Sequence, residues 1–318
     1  MKAIILAGGF ATRLWPLTEN EAKPLLLLQN VPLIKHIIDN IPVNIDIIIS
    51  TNKVFEEKFI VLKKSLKRKN IEIFIEDSAN EKTKKGALGA VSLIIKTKNI
   101  KESCLILAGD NYFACDFSDL IKKYNQKNPL IAVYDIKEKK YAKQFGVIVS
   151  KNKKTVDLFQ EKPENPLSTL VSTGAFILPT TVFPFLLEYA IHNNDDLGGI
   201  FEYLHQKNID INIYAFTEPW FDIGSFQGYL EAHKQIQKDS ILKHESAEIK
   251  NSKLLGAVSI ASNCEIKDSI LENVIVFPGT KIEKSELRNC IIDQNSRILG
   301  LDISYQIIRA NSFLKNFC

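Results

Sequence analysis

Apolar positions in the first two thirds of the chain follow two periods that take turns. Continuous apolar runs at Ala3 to Ala7, Ile45 to Ile49 and Cys104 to Ala108 read as buried strands, and Ile71 to Ile75 alternates like a further one. Between them, Pro32 to Ile38, Phe55 to Leu66 and Gly86 to Lys96 set aliphatics at helical spacing. Strand and helix in alternation predict an α/β unit, a mixed but mostly parallel Rossmann-like sheet with flanking helices and right-handed crossovers. Further along, Leu130 to Tyr134 is a strand, Phe145 to Val149 and Val156 to Phe159 pattern as a hairpin, and Val171 to Ile177 and Ile209 to Phe216 are strands. Thr180 to His192, Ile200 to Gln206 and a stretch ending near Gln237 read as helices.

The pattern changes at Lys238-Asp239-Ser240. Ile249-Lys250-Asn251-Ser252 returns as Ile266-Lys267-Asp268-Ser269 and Ile282-Glu283-Lys284-Ser285, and Ile298 opens another turn, at offsets of 17, 16 and 16 residues. Leu255, Leu271 and Leu287 recur with the repeat, as do Ile260, Val276 and Ile292. Inward aliphatics at this period mark a β-helix, whose coils bury a core only by stacking, here over about three and a half turns. The expected division is a domain over residues 1–237 and a short β-helix over 245–318.

Composition narrows the class. The chain has 318 residues, 45% of them hydrophobic, enough for a full core. No apolar run approaches a membrane span and no signal segment precedes the first strand, so the expectation is a cytoplasmic protein without membrane or nucleic-acid partners. The net charge of +4 is mild, and basic runs such as Lys67-Arg68-Lys69 suit a solvated helix face. Five cysteines (Cys104, Cys115, Cys264, Cys290, Cys318) and five histidines show no metal-ligand spacing and read as ordinary residues.

Candidate chemistry begins where the first strand ends. Gly8-Gly9-Phe10-Ala11-Thr12-Arg13-Leu14-Trp15-Pro16-Leu17-Thr18, followed by Lys23-Pro24, is a phosphate-handling layout. Two glycines let backbone N–H groups approach anionic oxygens, while Thr12, Arg13 and Lys23 supply a hydroxyl and two cations. Arg13 can grip a phosphate bidentately and Lys23 acts as a point charge. Neither G-x-x-x-x-G-K-[ST] nor G-x-G-x-x-G is present. The Cys104 strand ends in Gly109-Asp110-Asn111, and a carboxylate there either caps the next turn or is placed to hold Mg²⁺ against a triphosphate.

The first stretch resembles the signature of the sugar-1-phosphate nucleotidylyltransferases, G-G-x-G-T-R-L-x-P-L-T followed by K-P, except that Ala11 stands where that family usually has a third glycine. Gly109-Asp110-Asn111, Phe145-Gly146-Val147, Glu161-Lys162-Pro163, Thr173-Gly174 and Trp220-Phe221-Asp222-Ile223-Gly224-Ser225 match further family segments, so the resemblance covers nearly the whole chain. It implies the nucleotide-diphospho-sugar transferase fold and a left-handed β-helix tail. Leu6, Gly8, Gly9, Thr12, Arg13 and Gly86 would bind the nucleotide. Gly146, Glu161, Lys162, Thr173 and Gly174 would bind the sugar phosphate, and Asp110 and Asp222 would hold Mg²⁺. Arg13, Lys23 and Lys162 would be the catalytic cations.

The implied reaction is attack of a sugar 1-phosphate on the α-phosphate of a nucleoside triphosphate, releasing pyrophosphate, in a homo-oligomer (dimer or tetramer). Gly109-Asp110-Asn111 looks most like the thymidylyl group, favouring dTTP with glucose 1-phosphate over UTP, or GTP with mannose 1-phosphate. Relatives read the base with a glutamine before the helix at Gly86, but the segment Asn80 to Ala90 has none. Two other classes stay open: a non-catalytic regulatory subunit, against which the retained Arg13, Lys23, Asp110, Lys162 and Asp222 speak, and an acyltransferase tail. Against the latter, the tail's one histidine, His244, precedes the first repeat.

Overall fold

The computed structural model describes residues 1–78 and 84–316. The chain forms two compact units, one of Met1–Phe10 with His36–Trp220 and one of Ala11–Lys35 with Phe221–Cys318. Among the described residues no helix is long and apolar enough to cross a membrane.

The first unit is built on a nine-stranded sheet. Lys2–Leu6 lies at its centre and pairs in parallel with Asp46–Asn52 on one side and Cys104–Ala108 on the other. Ile71–Glu76 adds in parallel beyond Asp46–Asn52. These strands are near-continuous aliphatic because both sheet faces are covered, as the fully buried Ala3, Ile4 and Ile5 show. Register aligns Leu6 with Ser50 and with Ala108, so the chain leaves three neighbouring strands at one edge of the sheet. On the far side Leu170–Leu178 runs antiparallel to Cys104–Ala108 and to Leu130–Asp135, and the hairpin Gly146–Val149 with Leu158–Glu161 closes that end. Asn212–Ala215 pairs in parallel with Leu130–Asp135. Helices Ala87–Thr97, Phe183–Tyr189 and Gly199–Gln206 pack Leu88, Val91, Leu186, Phe201 and Leu204 into a core with Ile4, Ile106 and Phe176.

Two readings from periodicity shift here. The helix expected from Thr180 opens as a 3-10 turn, Thr180–Val182, and is α-helical only from Phe183 to Tyr189. Pro184 sits in its first turn, where a missing N–H costs nothing. The strand expected over 209–216 is confined to Asn212–Ala215.

In the second unit, the helix Phe226–Gln237 starts on Ser225, whose side chain accepts a hydrogen bond from the Gly228 N–H, and ends at Lys238 in a left-handed conformation. The tail then coils into three parallel sheets of five, five and four strands, the arrangement of the left-handed β-helix the sequence pattern implied. Stacking begins at Ile241 and reaches Lys315, so the stack exceeds the three and a half coils counted from the repeat. The first strand, Ile241–Lys243, is exposed at both ends and carries little of the aliphatic signal. Ile249, Ile266, Ile282, Ile298 and Leu314 stack in register, as do Ile260, Val276, Ile292 and Ile308. Leu255 does not join its row. The residue in register with Leu271 and Leu287 is Leu254, and Leu255 is exposed, because the first interval is 17 residues long and the leucine row was counted at 16.

Corners and ladders give the coil its form. Left-handed backbone recurs at Asn251, Asp268, Lys284 and Gly300, at Gly256, Asn273, Asn289 and Tyr305, and at Asn263, Gly279, Asn295 and Asn311. Asn, Asp and Gly dominate these corners because they adopt that conformation most readily. Ser252, Ser269 and Ser285 form a ladder. Each hydroxyl donates to the carbonyl two residues before it and accepts the N–H of Ser269, Ser285 or Leu301 in the next coil.

Candidate active site

In the first unit the Gly8-Gly9 turn sits at the sheet edge where Lys2–Leu6 ends. Asn52, fully buried, donates to the Gly8 carbonyl at 3.1 Å and accepts from the Phe55 N–H at 3.3 Å, fixing the turn to the start of the next helical segment. Gly109 N–H donates to the Leu6 carbonyl at 2.9 Å. Gly8 is glycine for want of space: a Cβ there would lie 2.5 Å from Glu76 Oε1. Glu76 is buried and accepts from Ser50 Oγ at 2.8 Å; burial pushes its carboxyl up, against the lowering effects of Ser50 and Lys85.

Gly86, at the start of helix Ala87–Thr97, has a φ of +73°, and a Cβ on it would meet the Asn194 carbonyl at 2.4 Å. The segment from Asn193 to Gly199 closes over this helix start. The Asn194 carbonyl accepts from Gly89 N–H at 2.8 Å, Asp195 accepts from Ala87 N–H at 3.4 Å, and Lys84 pairs with Asp195 at 2.8 Å. A carboxylate at a helix N-terminus answers the exposed N–H groups and the helix dipole. The base-reading segment expected over 80–90 lies outside the described residues at 80–83.

The same segment reaches Glu161 at its other end. Glu161 ends the strand Leu158–Glu161, and a Cβ on Gly198 would fall 1.9 Å from its Oε2, while one on Gly146 would fall 3.2 Å from it. Gly198 thus leaves the carboxylate its place, while a Cβ on Gly146 would first meet the Phe159 ring at 2.5 Å. Desolvation pushes the Glu161 carboxyl up, and the Lys162 ammonium, 3.1 Å away, pulls it back. Lys162 is exposed and held in left-handed backbone at φ 42°. Thr173-Gly174 forms a bulge in the long antiparallel strand, where register shifts between Ser172 and Phe176. Thr173 Oγ1 donates to the Ala132 carbonyl at 2.9 Å, and a Cβ on Gly174, at φ +74°, would crowd Ala108 Cβ at 2.8 Å. Asp110, half-buried past the end of Cys104–Ala108, accepts from Asn111 Nδ2 at 3.1 Å.

The second unit holds the rest of the signature. Ala11 takes left-handed backbone, φ 46° and ψ 45°, and its carbonyl accepts from Thr18 Oγ1 at 2.8 Å. Ala11 thus holds, in place of a glycine, a conformation that glycine adopts without strain. Thr12 and Arg13 lie exposed on the 3-10 turn Thr12–Leu14, anchored by buried Leu14. Lys23, by contrast, is buried on the turn Lys23–Leu25 and lies 3.8 Å from Asp222, a third of whose side chain is exposed.

Among the described residues no three His, Cys, Asp or Glu side chains gather as a metal site. Mg²⁺ asks less of a protein, one or two carboxylates with waters and phosphate oxygens, and Asp110 and Asp222 are hard oxygen donors of that kind.

The family model described as nucleotidyl transferase matches residues 2–239. The chain belongs to the nucleotidyl transferase family. This nucleotidyl transferase is 27% identical, over 94% of its length, to the bifunctional protein GlmU of Methanococcus aeolicus. It is 25% identical, over 92%, to a Sulfolobus acidocaldarius protein provisionally assigned as a mannose-1-phosphate guanyltransferase. Across these and four further relatives it spans between 61% and 76% of the relative's own length. A crystal structure from Bacillus anthracis, provisionally assigned as a glucose-1-phosphate thymidylyltransferase, superposes with a TM-score of 0.62 at 23% identity, over 73% of this chain and 93% of that one. The motif resemblance is thus met at the level of family and fold.

Two features of this nucleotidyl transferase escaped the motif reading. Glu76 and the segment from Asn194 to Gly199 belong to none of the motifs read from the sequence. The available signal was the Asp195-Asp196 pair running into Gly198-Gly199, because adjacent carboxylates and glycines on a short turn mark backbone held against something close.

Proposed function

We propose that the chain transfers a nucleotidyl group from a nucleoside triphosphate to a sugar 1-phosphate, with dTTP and glucose 1-phosphate as the leading pair and UTP or GTP as the alternative triphosphates. The observation that carries this reading is the retention of three cations, Arg13, Lys23 and Lys162, and two strand-end aspartates, Asp110 and Asp222, at motif positions within a family match of residues 2–239.

The sugar phosphate is already ionised at neutral pH, so the step needs alignment and charge neutralisation more than a base. Arg13, exposed on its turn, grips the triphosphate, and Lys23 adds a second cation. Lys162 takes the phosphate of the sugar, and Glu161 accepts sugar hydroxyls beside it. Gly8 and Gly9 open main-chain N–H groups toward phosphate oxygens, and Leu6 and Gly86 flank the nucleoside. The Thr173 hydroxyl is engaged with Ala132, so this bulge offers its main chain to the sugar. Asp110 and Asp222 would hold Mg²⁺, which when bound supplies positive charge against the triphosphate and the departing pyrophosphate.

The test is pyrophosphate release from five common triphosphates, each paired with a panel of sugar 1-phosphates. Turnover with dTTP and glucose 1-phosphate is expected to lead. Release with a different pair corrects the substrate, and none with any pair removes the reading.

A further inference from the structure

The residues between Ala11 and Lys35, which hold Arg13 and Lys23, cluster with the tail in one compact unit. Polar contacts among the described residues tie them down. Glu19, between the two cations in sequence, pairs with Arg309 of the β-helix. Asn30 Nδ2 donates to the Ile260 carbonyl at 3.0 Å, and Tyr229, buried in the helix before the tail, donates its hydroxyl to the Leu27 carbonyl. A cavity of about 460 Å³ lies between the segment and the coils, lined by Leu17, Leu26, Phe277, Pro278, Asp293 and Arg309. Leu17 and Leu26 of the segment are buried where they line it, and Arg309 lines it from the coil side, so the pair with Glu19 fixes the segment at the rim.

We propose that Arg309 is a positioning residue for the signature segment: by pairing with Glu19, it makes the β-helix a brace that holds the turns presenting Arg13 and Lys23. This rests on the function proposed above for those two cations. It assigns the tail a part in turnover.

Reversing charge at each end tests the brace. Trp15, two residues from Arg13, is 55% exposed while Trp220 is 7% exposed, so acrylamide quenching reports chiefly on the signature segment. Arg309→Glu and Glu19→Arg are each expected to raise the quenching constant and to lower kcat by about threefold to tenfold, the scale of an exposed ion pair turned repulsive. The KM for the sugar phosphate should stay within twofold and the size by light scattering unchanged. The double reversal, Glu19→Arg with Arg309→Glu, should restore both readouts. Unchanged quenching and kcat in the single variants, or a double variant as impaired as either single, overturns the brace. If the wild-type chain turns over no substrate pair, the functional reading has failed, and the quenching arm with its double-variant rescue still decides whether the brace exists.

Discussion

The two units hold their motif residues by opposite means. In the first, the recurring device is an absent atom: Gly8, Gly86, Gly146, Gly174 and Gly198 each stand where a Cβ would lie within 2.8 Å of a neighbouring atom. In the second, the signature contributes long cations on short turns, Arg13 exposed and Lys23 buried beside Asp222. Volume should therefore govern substitutions in the first unit and charge those in the second. Lys162 is the cation that crosses this division, and its pairing with Glu161 makes it the point at which the contrast can be broken.

The largest effect is expected at Asp222. Asp222→Asn keeps shape and removes charge, and turnover should fall by about a hundredfold or more with the circular dichroism spectrum unchanged; near-normal turnover would show that charge does not rule the second unit. Next comes Lys162→Ala, for which the KM of the sugar phosphate should rise by one to two orders of magnitude, the equivalent of roughly 1.5–3 kcal/mol, with that of the triphosphate little changed. A rise confined to the triphosphate would reverse the assignment.

Gly198→Ala adds one methyl group against Glu161. Its expected signature is a rise of about tenfold in sugar-phosphate KM at constant triphosphate KM, seen in the same steady-state assays. Equal losses for both substrates would mean that the segment from Asn193 to Gly199 serves the fold alone.

Glu76 sharpens the comparison through pH. Its folded carboxyl lies above the ordinary value of 4.5, so the folded chain binds more protons than the unfolded one as pH rises from there, and stability is lost across that window. Glu76→Gln keeps an acceptor for Ser50 and removes the titration. Urea unfolding should show the variant gaining on the wild type from pH 4.5 to pH 7.5; a constant difference would deny Glu76 its shift. The smallest effect belongs to Ala11→Gly, which relieves left-handed backbone and should stabilise by up to about 1 kcal/mol in the same denaturation experiment.

The sheet was legible because its aliphatic runs are buried on both faces, as at Ala3 to Ile5, and the tail because Ile249, Ile266 and Ile282 occupy one register. Leu255 misled because counting at a fixed period ignores a longer first coil. The motif residues were readable one by one, but Gly198 beneath Glu161, and Glu76 behind Gly8, follow from contacts between residues 37 and 68 positions apart, which periodicity does not encode. Nor could spacing place the residues from Ala11 to Lys35 with a tail more than two hundred residues away.

The serine ladder has a consequence for how such a tail changes over generations. Each rung both closes its own coil and receives the next, so a stretch of one whole coil can be copied or lost while every remaining hydroxyl still finds an N–H at the same height. A gain of any other length inside a strand would strand a rung and turn an aliphatic row toward water. The expectation is a tail quantised in inheritance, lengthening or shortening in coils, with drifts of a few residues kept to corners such as the one at Leu255-Gly256-Ala257, where the first coil carries its one extra residue.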